Sequence, residues 1–210
     1  MEIQKIGKLV MVRHHESEWN KLGKWTGKTE VHLSPEGFEK SKKMGEYVKD
    51  IHFDYIFTSG QIRAEETMLS MLSVEDPILS IPTEKAKELN ERDYGDYTGR
   101  NKWEMEKILG HDEFIKVRRS WDHVIPNGES LKMVYERSVP FYLNKILPIL
   151  KENKNVLVVA HGNSIRSIIK YIENISDKDI SNLEMPFGCI IIYDLDDMGH
   201  ILNKEIRQVD

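Results

Sequence analysis

Apolar residues follow two alternating rhythms along the chain. Short apolar runs at Leu9 to Arg13, Phe53 to Thr58, Ile78 to Ile81, Val156 to Ala160 and Gly188 to Leu195 have the length and density of strands covered on both faces. Between them the period lengthens to that of a helix. Ser34 and Pro35 suit the N-cap and first turn of one helix, whose stripe is Phe38, Ser41, Met44, Gly45, Val48 and Ile51. Further helices are predicted from about Ile62 to Leu72, from Asn101 to Leu109 with Gly110 as terminator, and from Glu129 to Leu150 with a kink at Pro140. A last one opens at His161-Gly-Asn-Ser164 and runs through Tyr171. Leu89 to Gly99 and Trp121 to Asn127 read as irregular, and the residues after Leu195 as a short hairpin or tail. Strands alternating with helices predict an α/β fold, a doubly wound and mostly parallel sheet with helices on both faces. Ligands in such sheets bind beyond the carboxyl ends of the strands. His14 and His161 each follow directly on a strand, so the pattern alone sets two imidazoles at that edge.

Composition narrows the class. The 210 residues hold no linker, repeat or low-complexity tract, which predicts one domain over residues 1–210. With 40% hydrophobic and 31% charged residues the chain can bury a core and is neither disordered nor fibrous. The longest apolar runs fall far short of the ~20 residues that cross a bilayer. The start of the chain lacks a signal-peptide pattern, and the single cysteine, Cys189, has no partner for a disulfide within the chain. Together these point to the cytoplasm, with no membrane partner. A formal net charge of −5 argues against nucleic acid. Yet Arg13, Arg63, Arg92, Arg118, Arg119 and Arg166 stand beside His, Gly, Asn or Ser. A locally basic cleft in an acidic protein suits a small anion, which guanidinium groups pair bidentately.

Arg13, His14, Arg63, Glu91 and His161 make sense together as phosphoryl-transfer machinery that works through a phosphorylated histidine. The attacking imidazole must be neutral, and neighbouring arginines disfavour imidazolium. The same arginines spread the charge of the phosphoryl oxygens, His161, if protonated, donates to one of them, and Glu91 exchanges the proton of the leaving or attacking oxygen. Taken alone, each residue also has an ordinary structural reading as a capping histidine, a solvated carboxylate or a surface cation. Arg118 and Arg119 are adjacent, so a helix would point them ~100° apart and only an irregular backbone is expected to aim both at one ligand. No His-Glu-x-x-His spacing or thiolate cluster suggests a metal, Ser164 lacks the elbow of serine hydrolases, and Cys189 reads as a buried hydrophobe.

Several segments in order carry a resemblance: Val12-Arg13-His14 with Glu16-Ser17 and Trp19-Asn20; Thr58-Ser59 with Arg63-Ala64 and Thr67; Leu89-Asn-Glu-Arg92 with Tyr94-Gly95, Gly99 and Lys102; Arg118-Arg119-Ser120; Gly128-Glu-Ser-Leu131; and Ala160-His-Gly-Asn-Ser-Ile-Arg166. From about Leu9 to Asp194 the chain resembles the cofactor-dependent phosphoglycerate mutases, a branch of the histidine phosphatase superfamily. The resemblance implies interconversion of 3-phosphoglycerate and 2-phosphoglycerate, with His14 as the nucleophile, 2,3-bisphosphoglycerate as primer and no metal. It implies that Arg13, Asn20, Arg63 and His161 bind the transferring phosphate, with backbone help from Gly162, and that Glu91 donates the proton. Thr26, Gly27, Tyr94, Lys102, Arg118, Arg119 and Asn163 would hold the substrate's carboxylate or second phosphate, and Ser17 would assist at the phosphate. The oligomeric state, monomer or homo-oligomer, stays open.

The chain departs from that pattern at three positions. His15 stands where the family has glycine, Lys28 where it has tryptophan and Phe187 where it has threonine. A positive φ at His15 would cost of order 1 kcal/mol; the expectation is that its ring turns away from His14. A short segment before Glu129 and a reduced tail after the last strand are expected to open the pocket to water. The alternatives are therefore a phosphatase of the same superfamily acting on small phosphate esters, and a catalytically weak module that binds phospho-ligands.

Overall fold

The computed structural model describes residues 5–72 and 80–209. In chain order the elements are β1 (Leu9–Arg13), α1 (Glu18–Lys21), α2 (Pro35–Glu46), β2 (Tyr55–Ser59), α3 (Ile62–Leu72), β3 (Thr83–Ala86), α4 (Lys102–Leu109) and α5 (His111–Arg119). They continue as α6 (Leu131–Phe141), α7 (Leu147–Lys151), β4 (Val156–Ala160), α8 (Gly162–Ile172), β5 (Cys189–Leu195) and β6 (Ile201–Gln208). The strands form one sheet in the order β3-β2-β4-β1-β5-β6. The first four in that order run parallel. β5 and β6 extend the sheet antiparallel.

The period-two alternation of β1 explains the layers. Leu9 and Met11 point into a core with Tyr142, Ile146, Ile165, Ile168 and Ile169, from α8 and the segment that follows α6. Val10 and Val12 point to the opposite face, onto Met44 of α2 and Ala64, Met68 and Met71 of α3. Both faces are thus covered, as expected for an apolar parallel strand. Truncating Leu9, Met11, Met44 or Ile168 to alanine costs about 2–5 kcal/mol. A third, smaller cluster of Trp25, Met105, Phe114, Val117 and Ile125 lies apart from these two and supports α4 and α5.

The capping chemistry behaves as the sequence predicts. Ser34 accepts from the Gly37 amide at the start of α2, with Pro35 in the first turn, and Asn101 accepts from Trp103 and Glu104 at the start of α4. Four expectations shift. Ile78 and Leu79 lie outside the described residues, and the third strand begins at Thr83, just past Pro82, which has no amide to give to a ladder. The long helix through Leu150 is divided by a π-helical segment, Tyr142–Ile146, which follows Pro140. Proline removes one N–H from the helical ladder, and a wider turn is a way of restoring register. α5 was not expected, because only Phe114 and Val117 of its nine residues are buried and all the others but Ile115 are polar. The short α1, capped by Ser17, was not expected either. No helix among the described residues is long and apolar enough to cross a membrane.

Candidate active site

Parallel pairing of β1 with β4 in the register Arg13↔Ala160 brings two strand ends to one level, and the His14 amide donates to the Ala160 carbonyl at 3.0 Å. The next residues are therefore neighbours. The His14 and His161 rings meet edge to face with centroids 4.9 Å apart. His14 Nδ1 lies 2.6 Å from the His15 carbonyl, so Nδ1 carries the proton and donates, leaving the lone pair on Nε2. His161 Nε2 lies 2.7 Å from Ser59 Oγ at the end of β2, and that hydroxyl accepts from the Gln61 amide. With Nε2 engaged by Ser59, Nδ1 is the His161 ring nitrogen with no partner in the protein.

Arg63 enters from the first turn of α3. Its guanidinium donates to the Thr29 and Gly27 carbonyls at 3.0 and 3.1 Å. Gly27 takes φ +52°, a left-handed turn that glycine adopts freely, and a Cβ there would come within 3.1 Å of the Tyr94 amide. Gln61 bridges this turn to the Glu91 loop: its Nε2 donates to Gly27 O at 2.8 Å and its Oε1 accepts from the Glu91 amide at 2.7 Å. Glu91 Oε1 accepts from the Arg92 amide at 2.8 Å and from Asn163 Nδ2 at 2.9 Å, with the Asn163 amide at 3.3 Å. All three contacts fall on Oε1, which leaves Oε2 as the oxygen open to a proton.

Burial and charge set the protonation states. Burial, then Arg63 and Arg13, push His14 well below the ordinary imidazole value; burial, Arg63, His14 and Arg13 do the same to His161. Both rings are held neutral at neutral pH, so the protonation that the sequence reading set as the condition for His161 to donate is not met in the free protein. Burial alone would raise Glu91, but the Arg92 amide, Arg13, Asn163 and Arg63 outweigh it and hold the carboxyl below its ordinary value. Burial lowers Arg63 to about 10, which leaves it charged.

His14, Arg63 and Glu91 open onto a two-part cavity, which the fully buried His161 does not line. An inner arm of about 50 Å³ is lined by Arg13, His14, Asn20, Thr26, Gly27, Arg63 and Glu91. An outer chamber of about 220 Å³ is lined by Lys102, Arg118, Arg119, Gly162, Asn163 and Arg166. Arg13, Glu91, Tyr94 and Lys102 face both. Ser17 faces neither; its hydroxyl caps α1 and donates to Asn20 Oδ1 at 2.8 Å, so it orients Asn20. Arg118 and Arg119 do stand on a helix, contrary to expectation, yet both reach the outer chamber from the last turn of α5. Their long stems overcome the angular separation, Arg118 passing over the Phe114 ring and Arg119 pairing with Glu184.

His15 has ordinary backbone geometry, since the positive-φ residues other than glycine among the described residues are Asn127, Asn153 and Asn174. Its ring turns from the reaction cavity into a neighbouring one beside Glu36 and Lys40, and burial with nearby Lys40 pushes it down to about 4. Lys28 points outward and pairs with Asp93 at 2.7 Å. The sequence reading missed Gln61, and its place directly after β2, at the carboxyl edge of the sheet, is the signal that could have found it. It also gave no role to Ser59, Lys24 or Trp25, which complete the walls or the proton network. Among the described residues no group of three or more His, Cys, Asp or Glu is placed to hold a metal ion.

Comparison with known proteins agrees with this geometry. The chain is 40% identical to 2,3-bisphosphoglycerate-dependent phosphoglycerate mutase 2 of Lactiplantibacillus plantarum, over 95% of this chain and 98% of that one. It is 41% identical to the 2,3-bisphosphoglycerate-dependent phosphoglycerate mutase of Enterococcus faecalis, over 90% and 95% of the two chains. The fold matches that of the alpha-ribazole phosphatase from Shigella flexneri with a TM-score of 0.78 at 23% identity, covering 96% of this chain and 95% of that one. Residues 9–205 match the histidine phosphatase superfamily (branch 1), and the chain belongs to that family.

Proposed function

We propose that the protein interconverts 3-phosphoglycerate and 2-phosphoglycerate through a phosphohistidine on His14, with residues 1–210 working as one domain. The observation that carries this reading is the meeting of His14 with the buried His161 at the edge of a donor-rich cavity that His14 shares with Arg13, Arg63 and Glu91. The similarity to the two mutases supports the choice of substrate.

The residues fit 2,3-bisphosphoglycerate. Arg13 Nε, Arg63 Nε, Arg166 Nε and His161 Nδ1 are buried without a partner in the protein. A buried donor left unpaired costs about 1–3 kcal/mol, which anionic oxygens relieve. The inner arm takes one phosphate, while Thr26, Gly27, Tyr94, Lys102, Arg118, Arg119 and Asn163 hold the carboxylate or the second phosphate. When bound, 2,3-bisphosphoglycerate supplies the phosphoryl group that primes His14.

Neutral His14 presents the Nε2 lone pair to phosphorus. Arg13 and Arg63 spread the charge of the equatorial oxygens, so the route needs no metal ion. His161 donates its Nδ1 proton to one of those oxygens, Asn20 donates to another, and the Gly162 amide adds the positive end of α8. Glu91 carries a proton on Oε2 to the leaving oxygen. A bound phosphate offsets the arginines that otherwise hold this carboxyl ionised, which raises its pKa towards that task. Once relieved of the proton, the carboxylate takes the next from the attacking hydroxyl.

Purified protein given 3-phosphoglycerate and a trace of 2,3-bisphosphoglycerate is expected to form 2-phosphoglycerate, and to lose most of that activity when the bisphosphate is stripped away. Release of inorganic phosphate without the isomer would overturn the reading in favour of a phosphatase. Ligand-induced stabilisation with no turnover would overturn it in favour of a binding module.

A further inference from the structure

Phe187, just before β5, lies outside the set of residues that hold the ligand, yet it touches the machinery. The Arg13 guanidinium carbon sits 3.9 Å from the centroid of its ring, and the His14 ring centroid is 5.9 Å away. On its other side the ring lies 6.5 Å from that of His15, inclined by 34°. The backbone there is tied down: the Phe187 carbonyl accepts from Gln208 Nε2 at 2.8 Å, and His15 Nδ1 accepts from the Glu16 amide at 2.8 Å. Gly188, at φ +69°, comes so close that a Cβ would lie 2.9 Å from His15 Cδ2. Beyond the two rings opens a second cavity of about 270 Å³, lined by His15, Glu36, Lys40, Phe187 and Gln208. The rings of Phe187 and His15 therefore form a partition between His14 and that second cavity.

We propose that Phe187 is a positioning residue that determines whether the phosphoryl group on His14 passes to a substrate hydroxyl or is lost to water. The proposal rests on the phosphohistidine reading above. Both fates are one reaction. An O–H oxygen attacks phosphorus, the N–P bond breaks with its electron pair returning to His14 Nε2, and the proton goes to Glu91. With a substrate alcohol the product is a phosphate ester, and with water it is inorganic phosphate. Selectivity must then come from the surroundings. The ring bars water on the side of the second cavity, and its face holds Arg13 flat where the guanidinium Nε has no other partner. A misplaced charge clamp slows transfer sharply.

The test is to load wild type, Phe187→Ala, Phe187→Leu and Phe187→Tyr with 2,3-bisphosphoglycerate. Decay of the phosphorylated protein is then followed by intact mass in buffer and with 3-phosphoglycerate. Phe187→Ala, which loses bulk and ring, is expected to hydrolyse ~10-fold faster and to transfer ~10-fold more slowly. Phe187→Tyr should stay within ~2-fold of wild type in both. Phe187→Leu keeps the bulk and loses the cation–π contact, so its hydrolysis should hold while transfer falls ~2–5-fold. Phe187→Ala with wild-type rates for both fates overturns the proposal. If that variant does not fold, Phe187→Leu decides: transfer at the wild-type rate overturns it. Wild type that takes up no phosphate overturns the functional reading itself, and the proposal with it.

Discussion

The inner arm and the outer chamber of the cavity are built on different foundations. His14, Arg63 and His161 leave strand ends or the first turn behind one, and are 2%, 1% and 0% exposed. Lys102, Arg118 and Arg119 stand on α4 and α5, which rest on the small cluster around Trp25 and Phe114 and not on the sheet. A strand end cannot shift without breaking a ladder, and the inner hydrogen bonds run between segments far apart in sequence, such as Ser59 to His161 and Glu91 to Asn163. The two helices of the outer rim have few such ties to the sheet. The lesson, under the proposed function, is a division of labour: rigid strand ends would fix the groups that act in the transition state, and a less anchored helical pair would supply cations that hold the rest of the ligand.

That division can be broken by substitution. Glu91→Gln keeps the shape and the Asn163 contact but removes the proton carrier, so kcat should fall ~10²–10⁴-fold with KM little changed, measured by steady-state kinetics. A comparable rise in KM would place Glu91 among the binding groups. At the outer rim, Lys102→Ala and Arg118→Ala should act mainly on KM. Losing one charge-assisted hydrogen bond of about 1.5–3 kcal/mol raises KM ~10–100-fold while kcat stays within a few-fold. An equal loss of kcat in these variants would show that both parts act in the transition state and dissolve the contrast.

The last expected effect is on stability and not on activity. His14 and His161 titrate well below the ordinary value in the folded protein but near 6.5 when unfolded. Below 6.5 the unfolded chain binds more protons, so their contribution to stability is complete above that pH and is lost as pH falls. Each adds a slope approaching about 1.4 kcal/mol per pH unit. His15, held at about 4, adds a third such slope, so urea unfolding at pH 7.5 and 5.5 should differ by about 4 kcal/mol, and His161→Gln should remove about a third of the difference. A flat profile in the wild type would mean that the two rings are not held neutral by burial and the arginines.

The same contrast explains what could be read from the chain. Val156 to Ala160 is so uniformly apolar that its place in the sheet was evident, and His14 and His161 inherited theirs from ending such runs. Residues of the inner arm were legible because strand ends are legible. α5 was not, since the apolar surface that covers Phe114 and Val117 comes from Trp25, far away in sequence. The joint reach of Arg118 and Arg119 was misjudged for that reason. Gln61 escaped notice because its worth lies in bridging Gly27 and Glu91, each about thirty residues distant. The direction of the His15 ring depends on the close approach of Gly188 from β5, which no local pattern records.

Incubation with 2,3-bisphosphoglycerate followed by intact-mass and fragment analysis of wild type and His14→Ala addresses the nucleophile itself. The expected result is a single phosphoryl adduct on His14 in the wild type and none in the variant. An adduct that persists in His14→Ala, or a wild type that stays unmodified while turning over substrate, would contradict the assignment.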